Sequence, residues 1–233
     1  MKIWYTKSGY RIIQLLAGRS NVFLLTNGAQ NILVDTGMYY MWGKLQKRLA
    51  DLHLKHLDYL IMTHSHMDHA GNCRKIQNKY HPLVIIHRSE APNLGVGDFI
   101  VPSGTNIFTR LFVKLLARPL APMLSYEACQ PNMAMNDLLD LDDFGFHATI
   151  MHTPGHSCGS VSVIIDDEIA LVGDTMVGTF KWSVYPPFAD DTKQLMDSWE
   201  KLLATGCSLF IPSHGTANSR ALVQRSFNKR KSI

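Results

Sequence analysis

Asp58-Tyr59-Leu60-Ile61-Met62-Thr63-His64-Ser65-His66-Met67-Asp68-His69 is the stretch on which the reading of this chain turns. Its first half is apolar and reads as a buried strand. Its second half packs four potential metal ligands into six residues. Side chains at i and i+2 of extended backbone project the same way, so His64 and His66 can grip one cation. Asp68 and His69 fall where the chain must turn and can point to a second cation close by. Neutral imidazoles with carboxylates suit Zn²⁺ and also admit Fe or Mn.

Histidine is not scarce here. The chain has 11, and a lone one such as His53, His87 or His147 reads as solvated or hydrogen-bonded. The cluster differs because partners of the right type recur downstream at strand ends. Thr153-Pro154-Gly155-His156-Ser157 puts a histidine in a turn after an apolar run. Leu171-Val172-Gly173-Asp174-Thr175 ends a strand-like run on an aspartate, and Leu209-Phe210-Ile211-Pro212-Ser213-His214-Gly215 ends another on a histidine.

The two halves of the chain also echo each other. Asn31–Thr36 and Ile169–Thr175 are apolar runs that close on Asp-Thr, while Tyr59–His64 and Leu209–His214 close on histidine. Helical patterns lie between the members of each pair, at Trp42–Leu52 and Thr192–Ala204. Continuous apolar strands of this kind are covered on both faces. Strand, helix, strand in both halves predicts a duplicated αβ/βα sandwich with polar residues gathered at strand ends, where layered α/β folds build their sites. Three hairpins are expected: Arg11–Leu16 with Asn21–Thr26, Asp137–Leu141 with Phe146–Met151, and Ser160–Ile165 with Glu168–Val172 around Asp166-Asp167.

Asp35-Thr36-Gly37, His64-x-His66-x-Asp68-His69, His156, Asp174 and His214 together resemble the metallo-β-lactamase superfamily of dinuclear metallohydrolases, in the family's order from about Asn21 to His214. The resemblance implies an α/β fold, a four-layered αβ/βα sandwich, over one domain spanning residues 1–233. It gives His64, His66 and His156 to a first metal, Asp68, His69 and His214 to a second, and Asp174 to both. Asp35 matches an aspartate that supports the ligand loops from behind. Two divalent ions are implied, Zn first and Fe or Mn as alternatives. They would act with Asp68 and Asp174 on a bridging hydroxide that attacks an ester, lactone, thioester or phosphoester.

Departures from individual subfamilies narrow this. The bridging Asp174 counts against antibiotic hydrolysis. Glyoxalase II enzymes have a similar metal set followed by a sizeable helical domain, whereas residues 216–233 follow the last histidine here, so glutathione-thioester specificity is not expected. The alternatives kept open are a mononuclear-iron dioxygenase of the same fold and a nuclease.

Composition bounds the class of protein. With 46% hydrophobic residues, 233 residues can bury one sizeable core or two joined halves. No apolar stretch reaches bilayer length, and Ile12–Ala17 is too short for a signal peptide. Four scattered cysteines predict free thiols and a cytoplasmic location. The net charge of +4 is partly in the tail, so a nucleic-acid partner is not expected.

Residues 92–136 form the individual part, read as a lid or insertion. At its centre Asn106–Leu116 is helical, with Arg110, Lys114 and Arg118 on one stripe and Phe108, Leu111, Phe112, Leu115 and Leu116 filling the opposite side. Pro119 and Pro122 are expected to stop it. Its readings are a core-packed helix, a lid over the metals across 106–124, a dimer surface of a homo-oligomer, or a membrane-surface helix. Phe108, Phe112 and Tyr185 are the candidate substrate-pocket residues.

Overall fold

The computed structural model describes residues 1–98, 100–120 and 125–231. It divides into two compact units: Met1–Ile100 with Pro122–Met135, and Val101–Ala121 with Asn136–Ile233.

The first unit holds a 7-stranded sheet whose order follows the chain. Its strands are β1 (Ile3–Tyr5), β2 (Arg11–Leu16), β3 (Val22–Thr26), β4 (Asn31–Val34), β5 (Tyr59–Ile61), β6 (Leu83–His87) and β7 (Met133–Met135). β1 to β4 run as an antiparallel meander, and β4 to β7 pair in parallel. Parallel neighbours need a crossover, which helix α1 (Trp42–Asp51) supplies between β4 and β5. Leu45 and Leu49 of α1, one turn apart, join Leu33, Leu60 and Val84 in a single apolar core. Two further helices are α2 (Met67–Ala70) and α3 (Cys73–Tyr80), and α4 (Ala91–Val96) follows β6.

The second unit repeats the plan. Its 6-stranded sheet has the order β13-β12-β11-β10-β9-β8. The strands are β8 (Leu138–Asp140), β9 (Ala148–His152), β10 (Val161–Ile165), β11 (Ile169–Leu171), β12 (Leu209–Ile211) and β13 (Asn218–Ser219). β11 and β12 are parallel, joined through α7 (Thr192–Ala204), as β4 and β5 are joined through α1. Leu195, Trp199, Leu202 and Leu203 put one stripe of α7 into the core. The final helix, α8 (Arg220–Lys231), adds Val223 and Phe227 to that core. All three expected hairpins form. Asp166 and Asp167 take φ of 55° and 51° in theirs, the left-handed pair that a two-residue turn requires.

The segment after α4 departs from expectation. Helix α5 (Ile107–Phe112) starts on an Asn106–Thr109 capping box and runs into a π-helical turn, Val113–Ala117, and then α6 (Arg118–Leu120). Pro119 therefore lies inside the helical rod rather than beyond its end. The wide turn just before it accommodates a residue with no N–H to give.

The apolar side is not packed inward as a core-packed helix would have it. Phe108 is 83% exposed and Leu111, Phe112, Leu115 and Leu116 are about half exposed or more, while Val113 alone of the helical residues 107–120 is buried. The reason is the strand-like stretch at Gly104, which bridges Phe188 and lies against the helix so closely that a Cβ on Gly104 would sit 2.2 Å from the Arg110 nitrogen. That packing ties the helix down near its start through backbone, and the apolar side is left outward; Arg110, Lys114 and Arg118 are themselves exposed. Residues 121–124 of the anticipated lid, Pro122 among them, lie outside the described residues.

Candidate metal centre

Four of the candidate site residues follow the C-terminal ends of paired parallel strands, while His156 follows the antiparallel β9. Asp35 follows β4 and His64 follows β5; Asp174 follows β11 and His214 follows β12. Such ends lie side by side because the register is level, with Ile32 opposite Tyr59 in one sheet and Ile169 opposite Leu209 in the other.

In the first unit the cluster is built around one carboxylate. Asp35 is buried at φ 60°, a left-handed conformation that aspartate tolerates better than most side chains. Its Oδ1 accepts from the Thr63 N–H at 2.9 Å, and its Oδ2 accepts from the Thr63 hydroxyl at 2.8 Å. The same Oδ2 lies 2.8 Å from His69 Nδ1. The Thr63 hydroxyl also lies 3.1 Å from His64 Nδ1. With their Nδ1 atoms engaged, His64 and His69 present Nε2. His64 Nε2 is 2.9 Å from His66 Nδ1, and His69 Nε2 is 3.6 Å from an oxygen of Asp68. The rings of His64 and His69 are stacked at a tilt, with centroids 4.0 Å apart.

The turn that carries these ligands is pinned from outside. The Thr36 hydroxyl donates to the His69 carbonyl at 2.6 Å, and the Ser20 hydroxyl donates to the Asp68 carbonyl. The Asn72 amide donates to the carbonyls of Thr36 and Met38 at 3.0 and 2.7 Å.

Two residues that the sequence did not single out hold Ser65, between the paired histidines. Buried Glu90 accepts from the Ser65 N–H at 3.0 Å and from its hydroxyl. The Tyr126 hydroxyl donates to the Ser65 carbonyl at 2.6 Å, and burial pushes that phenol far above its ordinary value. Neither residue belongs to a local motif, and each reaches Ser65 only through the fold.

In the second unit Asp174 is the meeting point. Its Oδ2 lies 3.5 Å from His156 Nε2 and 3.1 Å from His214 Nε2. The other nitrogen of His156, Nδ1, lies 3.0 Å from the Phe188 carbonyl. Glycine permits both histidine loops. At Gly155 φ is +130° and a Cβ would lie 2.4 Å from the Leu195 nitrogen of α7; at Gly215 φ is +89° and a Cβ would lie 2.3 Å from the Gly178 carbonyl carbon. Side chains from other elements complete the frame: Ser198 donates to the Pro154 carbonyl at 2.7 Å, and the Trp199 indole donates to the Thr175 carbonyl at 2.7 Å.

This donor set fits divalent metal. Histidines that ligate metal commonly give their second ring nitrogen to a carboxylate, hydroxyl or carbonyl, which sets tautomer and ring direction. His64, His69 and His156 each do so, through Thr63, Asp35 and Phe188. Each of the seven candidate ligands also belongs to a His/Asp group that could hold a metal ion.

The family model described as metallo-beta-lactamase superfamily matches residues 15–214. The chain belongs to this superfamily. An atrochrysone carboxyl ACP thioesterase of Aspergillus fumigatus is 24% identical over 233 residues, covering 95% of this chain and 62% of its own length. A human acyl-coenzyme A thioesterase is 28% identical over 191 residues, covering 74% of this chain and 64% of its own. The chain thus spans less than two thirds of the length of either relative. Among solved structures, a metallo-β-lactamase superfamily protein of Sulfolobus tokodaii superposes with a TM-score of 0.68 at 19% identity, over 94% of this chain and 85% of that one. At that identity the likeness establishes the metallo-β-lactamase fold.

The candidate pocket residues of this superfamily member do not come together as a group. Phe108 stands in solvent, whereas Phe112 packs its ring against Phe188 at 6.4 Å between centroids. Tyr185 lies under the Arg230 guanidinium at 3.6 Å and edge-on to Trp199. It lines a cavity of about 240 Å³ with Phe180 and Trp182, and none of His156, Asp174 and His214 lines that cavity.

Proposed function

We propose that this chain is a metal-dependent thioesterase. His64, His66 and His156 would hold one divalent ion, Asp68, His69 and His214 a second, and Asp174 would be shared by both. The observation that carries this reading is the carboxylate oxygen of Asp174 facing the imidazole nitrogens of both His156 and His214. One oxygen within reach of a histidine assigned to each ion supports a shared ligand. When bound, two such ions supply Lewis acidity, which lowers the pKa of water toward neutrality and polarises a scissile carbonyl.

The residues of the chain do the rest. Asp35 holds His69 and Thr63, so the ring of His69 cannot turn its Nε2 away. Glu90 and Tyr126 fix Ser65 and with it the spacing of His64 and His66. Zinc is the first choice for this mixture of imidazole and carboxylate, with Fe or Mn the alternatives. The thioester, rather than an oxygen ester or phosphoester, is favoured by the two thioesterase relatives.

The test combines metal analysis and turnover. Protein purified without added metal is expected to carry two divalent ions per chain and to hydrolyse acyl-thioesters. Chelation should abolish turnover, and Zn²⁺ or Mn²⁺ should restore it. Asp174→Ala should lose both ions and His214→Ala one. A single iron per chain, turnover that survives chelation, or full metal content in Asp174→Ala would overturn the assignment.

A further inference from the structure

A cavity of about 470 Å³ in the second unit is lined by Arg110, Lys114 and Arg118 together with Ser103, Asp190 and Thr192. Volumes of a few hundred Å³ suit a small ligand. Its wall is tied directly to the His156 loop. The Asp190 N–H donates to the His156 carbonyl at 3.2 Å, and the Asp191 N–H donates to the Gly155 carbonyl at 2.9 Å. A molecule seated in this cavity would therefore touch Asp190, whose backbone is bonded to the loop that presents His156.

The charge in the cavity is lopsided. Arg110, Lys114 and Arg118 stand at i, i+4 and i+8 of one helical rod, a span of about 12 Å at 1.5 Å per residue. Asp190 is the one acidic residue among the lining, and its Oδ1 accepts the Ser103 N–H at 2.9 Å. No ion pair to any of the three cations occurs among the described residues. Arg110 gives its Nε–H to the Gly104 carbonyl at 3.1 Å, which holds the guanidinium at the wall. Val113, the buried residue of the rod, anchors the stripe in that position. Two guanidinium forks flanking an ammonium exceed what one carboxylate needs and match the oxygens and charge of phosphate.

We infer that the cavity walled by Arg110, Lys114, Arg118 and Asp190 binds the phosphate of a phosphorylated pantetheine thioester, the chemistry shared by coenzyme A and carrier-protein arms. This rests on the thioesterase reading above and names its substrate class. The acyl-thioester end would lie toward the His156 loop and the phosphate at the basic stripe. The three cations act as binding and positioning residues and take no part in the reaction itself.

The test compares acyl-coenzyme A, acyl-phosphopantetheine and acyl-pantetheine on the protein as purified, with calorimetric titration of coenzyme A and of pantetheine as a readout independent of turnover. The expected result is a kcat/KM at least tenfold higher for both phosphorylated substrates than for acyl-pantetheine, carried by KM and shrinking as salt is raised. Coenzyme A should bind and pantetheine should not. In R110Q/K114Q/R118Q that preference and the binding of coenzyme A should both fall at least tenfold. Lys114→Gln with Arg118→Gln serves as the second variant, since both side chains are exposed and their loss should leave the melting temperature unchanged.

Equal kcat/KM for phosphorylated and unphosphorylated substrates would overturn the inference and leave the thioesterase reading standing. If none of the three is hydrolysed the thioesterase reading falls, and the titration then decides whether the anion site exists. Unaltered coenzyme A binding in the variants would overturn the site. So would a variant whose only defect is lost sedimentation with phosphatidylserine vesicles, because the stripe would then serve a lipid surface.

Discussion

Asp35→Asn removes a charge and an acceptor but almost no volume, so its consequences come from electrostatics and hydrogen bonding rather than from packing. The carboxylate receives three donors: the Thr63 N–H through Oδ1, and the Thr63 hydroxyl and His69 ring through Oδ2. An amide has one acceptor oxygen. If that oxygen faces the Thr63 N–H, the NH₂ group points at His69 Nδ1; if it faces His69, the NH₂ group points at the Thr63 N–H. Either way one buried donor loses its acceptor, at about 1–3 kcal/mol. For a chain of this length about 2 kcal/mol corresponds to a fall in melting temperature of about 4–8 °C.

Metal affinity should fall with it, by about 10–100-fold, because the ring of His69 loses the partner that fixes its tautomer. Thermal unfolding of chelated protein reads the first effect, and competition with a chromophoric chelator reads the second. A variant that melts within about 1 °C of the wild type in the metal-free state and binds metal within about threefold would refute the reasoning.

Two further outcomes follow from the structure. Asp191 caps α7, accepting from the Lys193 and Gln194 N–H groups at 2.9 and 3.0 Å, so Asp191→Ala should cost about 1 kcal/mol. The hydrogen bond from the Gln194 backbone holds its carboxyl below the usual carboxylate range. The folded value being the lower one, the stabilisation is complete above the unfolded value of about 3.9 and is lost as the pH falls through the folded value. The gap in melting temperature between wild type and variant should thus stay constant from neutral pH down to about pH 5 and close in stronger acid; a gap that widens in acid contradicts the cap. On the exposed face of α5, Phe108→Ala should change stability by less than about 0.5 kcal/mol, whereas Phe112→Ala should cost about 0.5–1.5 kcal/mol through its ring contact with Phe188. Equal large losses from both would mean that this face is core.

What was legible in the sequence was whatever is local and periodic. The strand-helix-strand repeats, the three hairpins and the spans of α1 and α7 could all be read because apolar runs, turn residues and helical stripes reflect backbone geometry within a dozen residues. The candidate ligands could be picked out for the same reason. His64, His66, Asp68 and His69 lie within one turn, and His156, Asp174 and His214 each close an apolar run that has to end at the edge of a sheet.

Tertiary structure alone decided how those ligands are held. Glu90 and Tyr126 are 25 and 61 residues from Ser65 and carry no motif, so only the fold brings them to it. It also decided that the helix around Arg110 buries only Val113. An amphipathic stripe states that a helix has two unlike faces and ordinarily sends the apolar one inward. Here Gly104, with no Cβ to keep it away, lets the backbone before the helix pack on the Thr109–Arg110 backbone, while Phe108 and Leu111 stay in solvent and the basic residues stay exposed. Helical periodicity records the difference between two faces; which of them is buried depends on a chain contact that the pattern does not encode.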